Sequence, residues 1–359
     1  MTSMTSGTSG ISLARQYYDD VVAPLLAARW PDLPHAAGRL GAGSEVLGLD
    51  DDTSRDHDWG LRLTLLVAAD RVDAVTEHLA TTLPDSFAGL PSRFATSWDP
   101  VVRQRVEVAT AEAFAVSRLG LEASGELDAV DWLCLTGQSL LEVIAGPVFT
   151  DTVGTLTHLR QKLAWYPDSV WRYVVAADWA RLGEDLPLMG RTGQRGDDLT
   201  SRVLAGRIAH TAMHLAFMLV RQWPPYPKWL GTMLTGLPVG GELVRGLTAA
   251  LSAQHWQHRQ HAMRDVVAVL HQAQREAGLP TPPDGAIEPF FDRPFLSIRA
   301  ETVTLLLDDV TDPLVRRLPA GVGAVEQWAD NVKVLTDPTR RVRVARHQFQ
   351  VAAQGAEAR

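Results

Sequence analysis

A chain of 359 residues, 46% hydrophobic and 21% charged, holds material for roughly two soluble domains, each with its own core. A formal net charge of −8 argues against a broad nucleic-acid-binding surface, which needs a positive excess, so nucleic acid is not an expected partner. The single cysteine, Cys134, excludes an intramolecular disulfide. No uninterrupted apolar run reaches the ~18 residues of a membrane-spanning helix, so the expected setting is the cytoplasm, with no membrane partner.

Residues 1–10 are polar, lack the charged and apolar regions of a signal peptide, and read as a flexible N-terminus. Over residues 11–29, Leu13, Tyr17, Val21 and Leu25 recur at helical spacing, with Pro24 as an expected kink. The stretch GAGSEVLGLDDDTSRDHDWGLRLTLLV, residues 41–67, sets a Gly-Ser pair, an acidic run and Asp-His-Asp ahead of an apolar run that reads as a buried strand. DRVDAVTEHLATTL reads as a helix with Asp70 as its cap, and RQRVEVATAEAF as a strand over 104–108 running into a helix from about Thr110. The first ~120 residues thus alternate helix and strand as a small α/β unit. From about Asp128 onward the spacing is helical, punctuated by AGPVF, WPPYPKWLG and GLPVGG, and residues 345–359 read as a fraying tail.

Chemistry concentrates at residues 43–58. On a strand, Asp56 and Asp58 point to one face. Two such carboxylates repel unless a cation sits between them, and Mg²⁺, which takes carboxylate oxygens together with substrate phosphates, is the economical choice. Eleven residues separate Asp56 from Gly43-Ser44, a pair whose backbone N–H groups at a helix start suit phosphate oxygens. The combination is the apparatus of phosphoryl or nucleotidyl transfer. A loop of solvated acids capping an ordinary strand is the other reading open here, and Asp50, Asp51 and Asp52 are read that way. Arg55 is a candidate phosphate donor, and His57, on the opposite face, is read as structural.

The segment GAGSEVLGLDDDTSRDHDWG resembles the signature of the nucleotidyltransferase superfamily. With KLAWYPDSVWRYVVAADW, YPKWLGT and PFFDRPF, the chain more narrowly resembles bacterial proteins carrying the DUF4037 domain, over residues ~40 to ~295. The resemblance implies an α+β chain. A nucleotidyltransferase-like mixed sheet with flanking helices is expected over residues 11–122, an all-helical DUF4037-type domain over 123–344 and a tail over 345–359. It implies ATP or another NTP and two Mg²⁺ ions. It assigns the phosphate-binding turn to Gly43 and Ser44 and the metal carboxylates to Asp56 and Asp58. A third acid is expected on a later strand, for which Glu107 in RVEVA is the candidate; it is equally readable as a solvent-facing strand residue.

In the helical half, antibiotic-modifying nucleotidyltransferases of similar layout imply an acceptor site and a cleft between the domains. Arg207, His210 and His214 share one helix, where three readings stand: a polar helix face, a zinc-binding pair, or, from Arg207 to His214, the Arg-x(4–6)-His pattern that resembles HEPN-type ribonucleases. His255, His258 and His261 read as a solvated face, and Asp168 with Arg172 as a helix ion pair. In WPPYPKWLG, Lys228 is either a triphosphate contact or part of a packing plug. The expected activity is Mg²⁺-dependent transfer of an NMP group from an NTP, ATP foremost, to a hydroxyl acceptor, a small molecule in the first instance. The rivals are a non-catalytic nucleotide-binding or interaction protein of the same fold, and a protein- or RNA-modifying nucleotidyltransferase of toxin–antitoxin type.

Overall fold

The expected first helix forms in three pieces. α1 (Gly10–Tyr17) is capped by Ser9, whose hydroxyl accepts the Ser12 N–H; a π-helical turn spans Tyr18–Val22; and α2 (Ala23–Arg29) follows. Pro24 lies in the first turn of α2, directly after the π turn. The break from α geometry is the π turn ahead of it. The structure, a computed structural model, describes residues 9–50, 59–97 and 99–357, excluding the side chains of 351–357. The chain divides into two compact units: Met1–Glu126 with Ser139–Ala164, and Leu127–Gln138 with Trp165–Arg359.

In the first unit, β1 (His35–Gly38) leads to β2 (Leu63–Val67) and α3 (Val72–Thr82). α3 begins after a 3-10 turn, Ala69–Arg71, and takes no side-chain cap, so Asp70 does not play the expected part. Two short ribbons follow, β3 (Ser86–Phe87) with β4 (Leu90–Pro91) and β5 (Arg93–Phe94) with β6 (Arg103–Gln104). Next come β7 (Val106–Ala109) and α4 (Ala111–Leu119), whose N-cap Thr110 accepts the Ala113 N–H. α5 (Ala129–Leu133) belongs to the second unit. After it, α6 (Gly137–Ile144) carries the chain back, and β8 (Val148–Asp151) and α7 (Thr155–Lys162) close the first unit.

The sheet order is β7-β2-β1-β8. β1 is antiparallel to both neighbours and β2 runs parallel to β7, so the sheet is mixed. All five residues of β2 are buried, the pattern a continuous apolar run produces in a strand covered on both faces. Leu13, Tyr17, Val22 and Leu26 of the opening helices pack with Leu63, Leu65 and Val67 of β2 and with Val75 and Leu79 of α3. β8 lies beyond the expected boundary at residue 122, yet completes this sheet by pairing the edge β1 would otherwise leave open.

The second unit is built on α8 (Asp168–Gln194) and α9 (Asp198–Leu219), joined by α10 (Pro227–Leu234), α11 (Gly240–Ser252) and α12 (Trp256–Glu276). α8 buries Trp171, Tyr173 and Trp179 on the way through the core. A hairpin, β9 (Ile287–Pro289) with β10 (Leu296–Ile298), departs from the all-helical expectation. α13 (Glu301–Asp308), α14 (Val325–Trp328), α15 (Val332–Leu335) and α16 (Pro338–Glu357) complete the chain. Residues 345–357 continue α16 instead of fraying. The reason is a buried stripe, Val342, Ala345 and Phe349, at helical steps of three and four. Among the described residues, no helix is long and apolar enough to cross a membrane.

Candidate functional site

The turn after β1 is organised by a buried ion pair. Arg39 Nε donates to Glu45 Oε1 at 3.0 Å, Nη2 to the Ala42 carbonyl at 2.7 Å, and Nη1 to the Leu40 carbonyl. Both side chains are buried, and each charge supplies the compensation the other needs away from water. Gly43 fits against this pair. Its φ is +140°, and a Cβ there would lie 2.5 Å from Arg39 Nη2 and Glu45 Oε2, so both backbone and space demand glycine. Ser44 then opens one 3-10 turn, Ser44–Leu47. Asp50 turns back to accept the Gly10 N–H, which makes it a tie to α1 and not a free acid.

Glu107 reaches the same region through the sheet. The parallel register sets it opposite Thr64 of β2. Arg118, in the last turn of α4, donates from Nη2 to Glu107 Oε2 at 2.7 Å, and its Nε lies 3.7 Å from Glu142 Oε2. The guanidinium lies over the Phe114 ring, 5.0 Å from its centroid. A Cβ at Gly41, where φ is +79°, would sit 3.3 Å from the same Nη2. Arg118 therefore borders both the glycine turn and Glu107. Sequence reasoning missed it; the available signal was the strand-to-helix return at Thr110, which brings the end of the helix back beside its strand.

Of the residues expected to form the site, Arg55, Asp56 and Asp58 lie outside the described residues, as do Asp51, Asp52 and His57. The strand they were expected to border begins at Leu63, after bends at Gly60 and Leu61. Gly43 and Ser44 lie in the turn built on Arg39 and Glu45, and Gly41 of the same turn borders Arg118, which binds Glu107. Lys228 belongs to the second unit, where it is exposed with its ammonium 4.8 Å from the Trp229 ring centroid. The plug reading holds for its neighbours instead. Trp223 is buried with ring centroids of Trp165 at 4.4 Å and Tyr166 at 4.5 Å. Among the described residues, no three His, Cys, Asp or Glu side chains converge as a metal site. Glu107 and Glu142 turn carboxylate oxygens, the donor type a hard divalent cation takes, toward the Arg118 guanidinium.

The second unit holds a different polar cluster, in its core. Arg207 is exposed and pairs with Asp185 at 3.3 Å, and His210 is exposed, as a polar face requires. His214 is not on that face. Its Nδ1 lies 2.6 Å from Asp178 Oδ2, and both residues are buried. Four residues advance a helix by about one turn plus 40°, and the edge of burial on α9 falls inside that step. Asp178 Oδ1 also accepts from Gln327 Nε2 at 2.7 Å. Glu326 Oε1 lies 3.6 Å from His214 Nε2, and the Glu326 carboxylate accepts the Gly137 N–H at 3.0–3.1 Å. Burial opposes charge on His214, but Asp178 and Glu326 outweigh it and raise its pKa to about 10. His214 is thus a cation at neutral pH, and its Nδ1–H donates to Asp178. Burial, with Glu326 and Asp178 nearby, pushes the Tyr166 phenol well above its usual value. The cluster binds α8, α9, α14 and the α5–α6 junction to one another.

Residues 132–230 match the family described as Domain of unknown function (DUF4037). The match takes in Gly137, Tyr166, Asp178 and His214, whereas Gly43, Ser44, Asp56, Asp58 and Glu107 all precede it. The chain is also similar to a solved nucleotidyltransferase-like protein from Exiguobacterium sibiricum 255-15, at 13% sequence identity and a TM-score of 0.33, over 74% of this chain and 78% of that one. A likeness at that level assigns neither substrate nor residues. No curated protein matches the chain.

Proposed function

We propose that this chain is a Mg²⁺-dependent nucleotidyltransferase that moves an NMP group from an NTP, ATP foremost, to the hydroxyl of a small acceptor. The observation that carries the reading is the parallel β2–β7 register, with Glu107 opposite Thr64 on the strand that follows Arg55–Asp58 in the chain. In this reading Asp56, Asp58 and Glu107 hold the metal ions. Bound Mg²⁺ supplies charge neutralisation and a template for the phosphates. The turn at Gly43 and Ser44 receives the β- and γ-phosphates, and Arg55 is a further phosphate contact. The acceptor oxygen forms a bond to the α-phosphorus as the bond to the bridging oxygen breaks, the acceptor proton passes to a base, and pyrophosphate leaves.

Titration calorimetry with a non-hydrolysable ATP analogue, with and without Mg²⁺, tests this in the wild type and Asp56→Ala/Asp58→Ala. Mg²⁺-dependent binding that disappears in the double variant supports the reading and leads to an acceptor screen by pyrophosphate release. Absence of binding by ATP, GTP, CTP and UTP analogues at millimolar concentration refutes it. One observation favours the second reading, a non-catalytic nucleotide-binding protein. Glu107 is already engaged by Arg118, and a carboxylate that never leaves that partner completes no metal site. Nucleotide binding that survives Glu107→Gln unchanged, with no pyrophosphate released by the wild type, selects it.

A further inference from the structure

We propose that Arg118 is a phosphate-contacting residue of the nucleotide site, held beside the glycine turn by Glu107 and Glu142; the inference rests on the nucleotide-binding reading above. Three features of its surroundings point this way. The guanidinium borders the turn. Nη2 is 3.3 Å from the position a Cβ would take at Gly41, so any side chain there would stand between Arg118 and the turn. Glycine at 41 keeps that space open while also meeting its left-handed φ of +79°.

Two carboxylates flank Arg118. Glu107 Oε2 accepts from Nη2 at 2.7 Å, and Glu142 Oε2 lies 3.7 Å from Nε, so two carboxylates share one guanidinium. Without Arg118 their negative charge would repel a triphosphate at the neighbouring turn. With it, the approach carries a donor fork matched to phosphate oxygens. A divalent cation arriving at Glu107 would compete with Arg118 for that carboxylate and leave donors to turn to phosphate. The guanidinium is also held in place, over the buried Phe114 ring at 5.0 Å, with Nη1 donating to Ser117 Oγ at 3.0 Å. Such a contact needs little ordering when ligand arrives.

The test titrates the full chain with a non-hydrolysable ATP analogue and Mg²⁺, comparing wild type, Arg118→Gln, Arg118→Lys and Glu142→Gln, after thermal melts establish which variants fold. Separately, Mn²⁺ alone is titrated by its electron paramagnetic resonance signal. Loss of a charge-assisted bond to phosphate weakens nucleotide binding about 10- to 100-fold in Arg118→Gln, and less in Arg118→Lys, which keeps the charge but not the fork. Mn²⁺ binding without nucleotide is unchanged or tighter in Arg118→Gln, because a competing cation is gone. Glu142→Gln removes a competitor for the guanidinium and tightens nucleotide binding about two- to fivefold. If Arg118→Gln does not fold, the Arg118→Lys and Glu142→Gln directions decide. Arg118→Gln binding nucleotide within twofold of wild type overturns the inference. So does Glu142→Gln weakening binding as much as Arg118→Gln, since both then act through shared packing. Failure of the wild type itself to bind any nucleotide refutes the nucleotide-binding reading and the inference with it, a result distinct from either.

Discussion

The buried pair in the second unit makes the strongest stability prediction. His214→Gln leaves Asp178, 1% exposed, with the Gln327 bond but no countercharge. Removing one partner of a buried ion pair costs about 3–5 kcal/mol. Proton linkage gives a second route to the magnitude. The folded-state pKa of about 10 lies above the ordinary 6.5 because Asp178 and Glu326 outweigh burial. A raised pKa stabilises the fold fully below pH 6.5, and that stabilisation is lost as pH rises through 10. At ~1.36 kcal/mol per tenfold change in proton affinity, the ceiling is about 5 kcal/mol, the same range. Urea unfolding followed by tryptophan fluorescence at intervals from pH 6 to about 10.5 reads it. The signal reports mainly the second unit, since every tryptophan except Trp30, Trp59 and Trp98 lies there. Wild type should lose stability progressively from about pH 6.5 to about 10, His214→Gln should not show that component, and Asp178→Asn/His214→Gln should recover part of the loss. A penalty under ~1 kcal/mol at neutral pH, or parallel pH profiles for wild type and variant, refutes the assignment of a buried imidazolium.

Three other outcomes follow from packing. Gly43→Ala forces a Cβ to 2.5 Å from Arg39 Nη2 and Glu45 Oε2 at a φ of +140°; it should destabilise the first unit by about 1–3 kcal/mol in urea unfolding and weaken the ATP analogue in calorimetry. Phe349→Ala removes a buried ring from α16 and should cost about 3–5 kcal/mol, whereas a fraying tail would show no change in melting temperature. Trp179→Phe deletes the donor that bonds Gln274 Oε1 in the core and should cost about 1–3 kcal/mol in the same unfolding assay, with little change in secondary structure by circular dichroism.

What the sequence disclosed depends on how far each signal reached along the chain. β2 was legible because LTLLV is a continuous apolar run, and α4 because Thr110 is a good cap. β1 was not, because HAAG carries no β-branched or aromatic residue and acquires its strand state only by pairing on both sides. β8 hid in a stretch read as a connection, since its partner β1 is more than a hundred residues earlier. Around the candidate site, Gly43 and Glu107 drew attention by residue type. Arg118, Glu45 and Arg39 were not, because an ordinary arginine or glutamate gains meaning only from what the fold sets beside it. His214 shows the reverse error: helical spacing to His210 predicted a shared face, and one step of rotation separated an exposed ring from a buried one.

The two polar constellations differ in what they leave for a ligand. In the second unit, His214, Asp178, Glu326 and Gln327 are spent on one another and on the Val174 carbonyl and the Gly137 N–H, so the cluster secures packing. That unit holds the whole DUF4037 match from Trp165 onward, and its acid and base groups are therefore poor grounds for a reaction. In the first unit, the carboxylates of Glu107 and Glu142 are partly exposed and share one cation beside a turn shaped around two glycines. In the proposed reading the chemistry argued from the Gly-Ser pair and the paired aspartates extends to Arg118 and Glu107, and the direction in which Arg118→Gln moves Mn²⁺ and nucleotide affinities separates a site from a packed corner of the sheet.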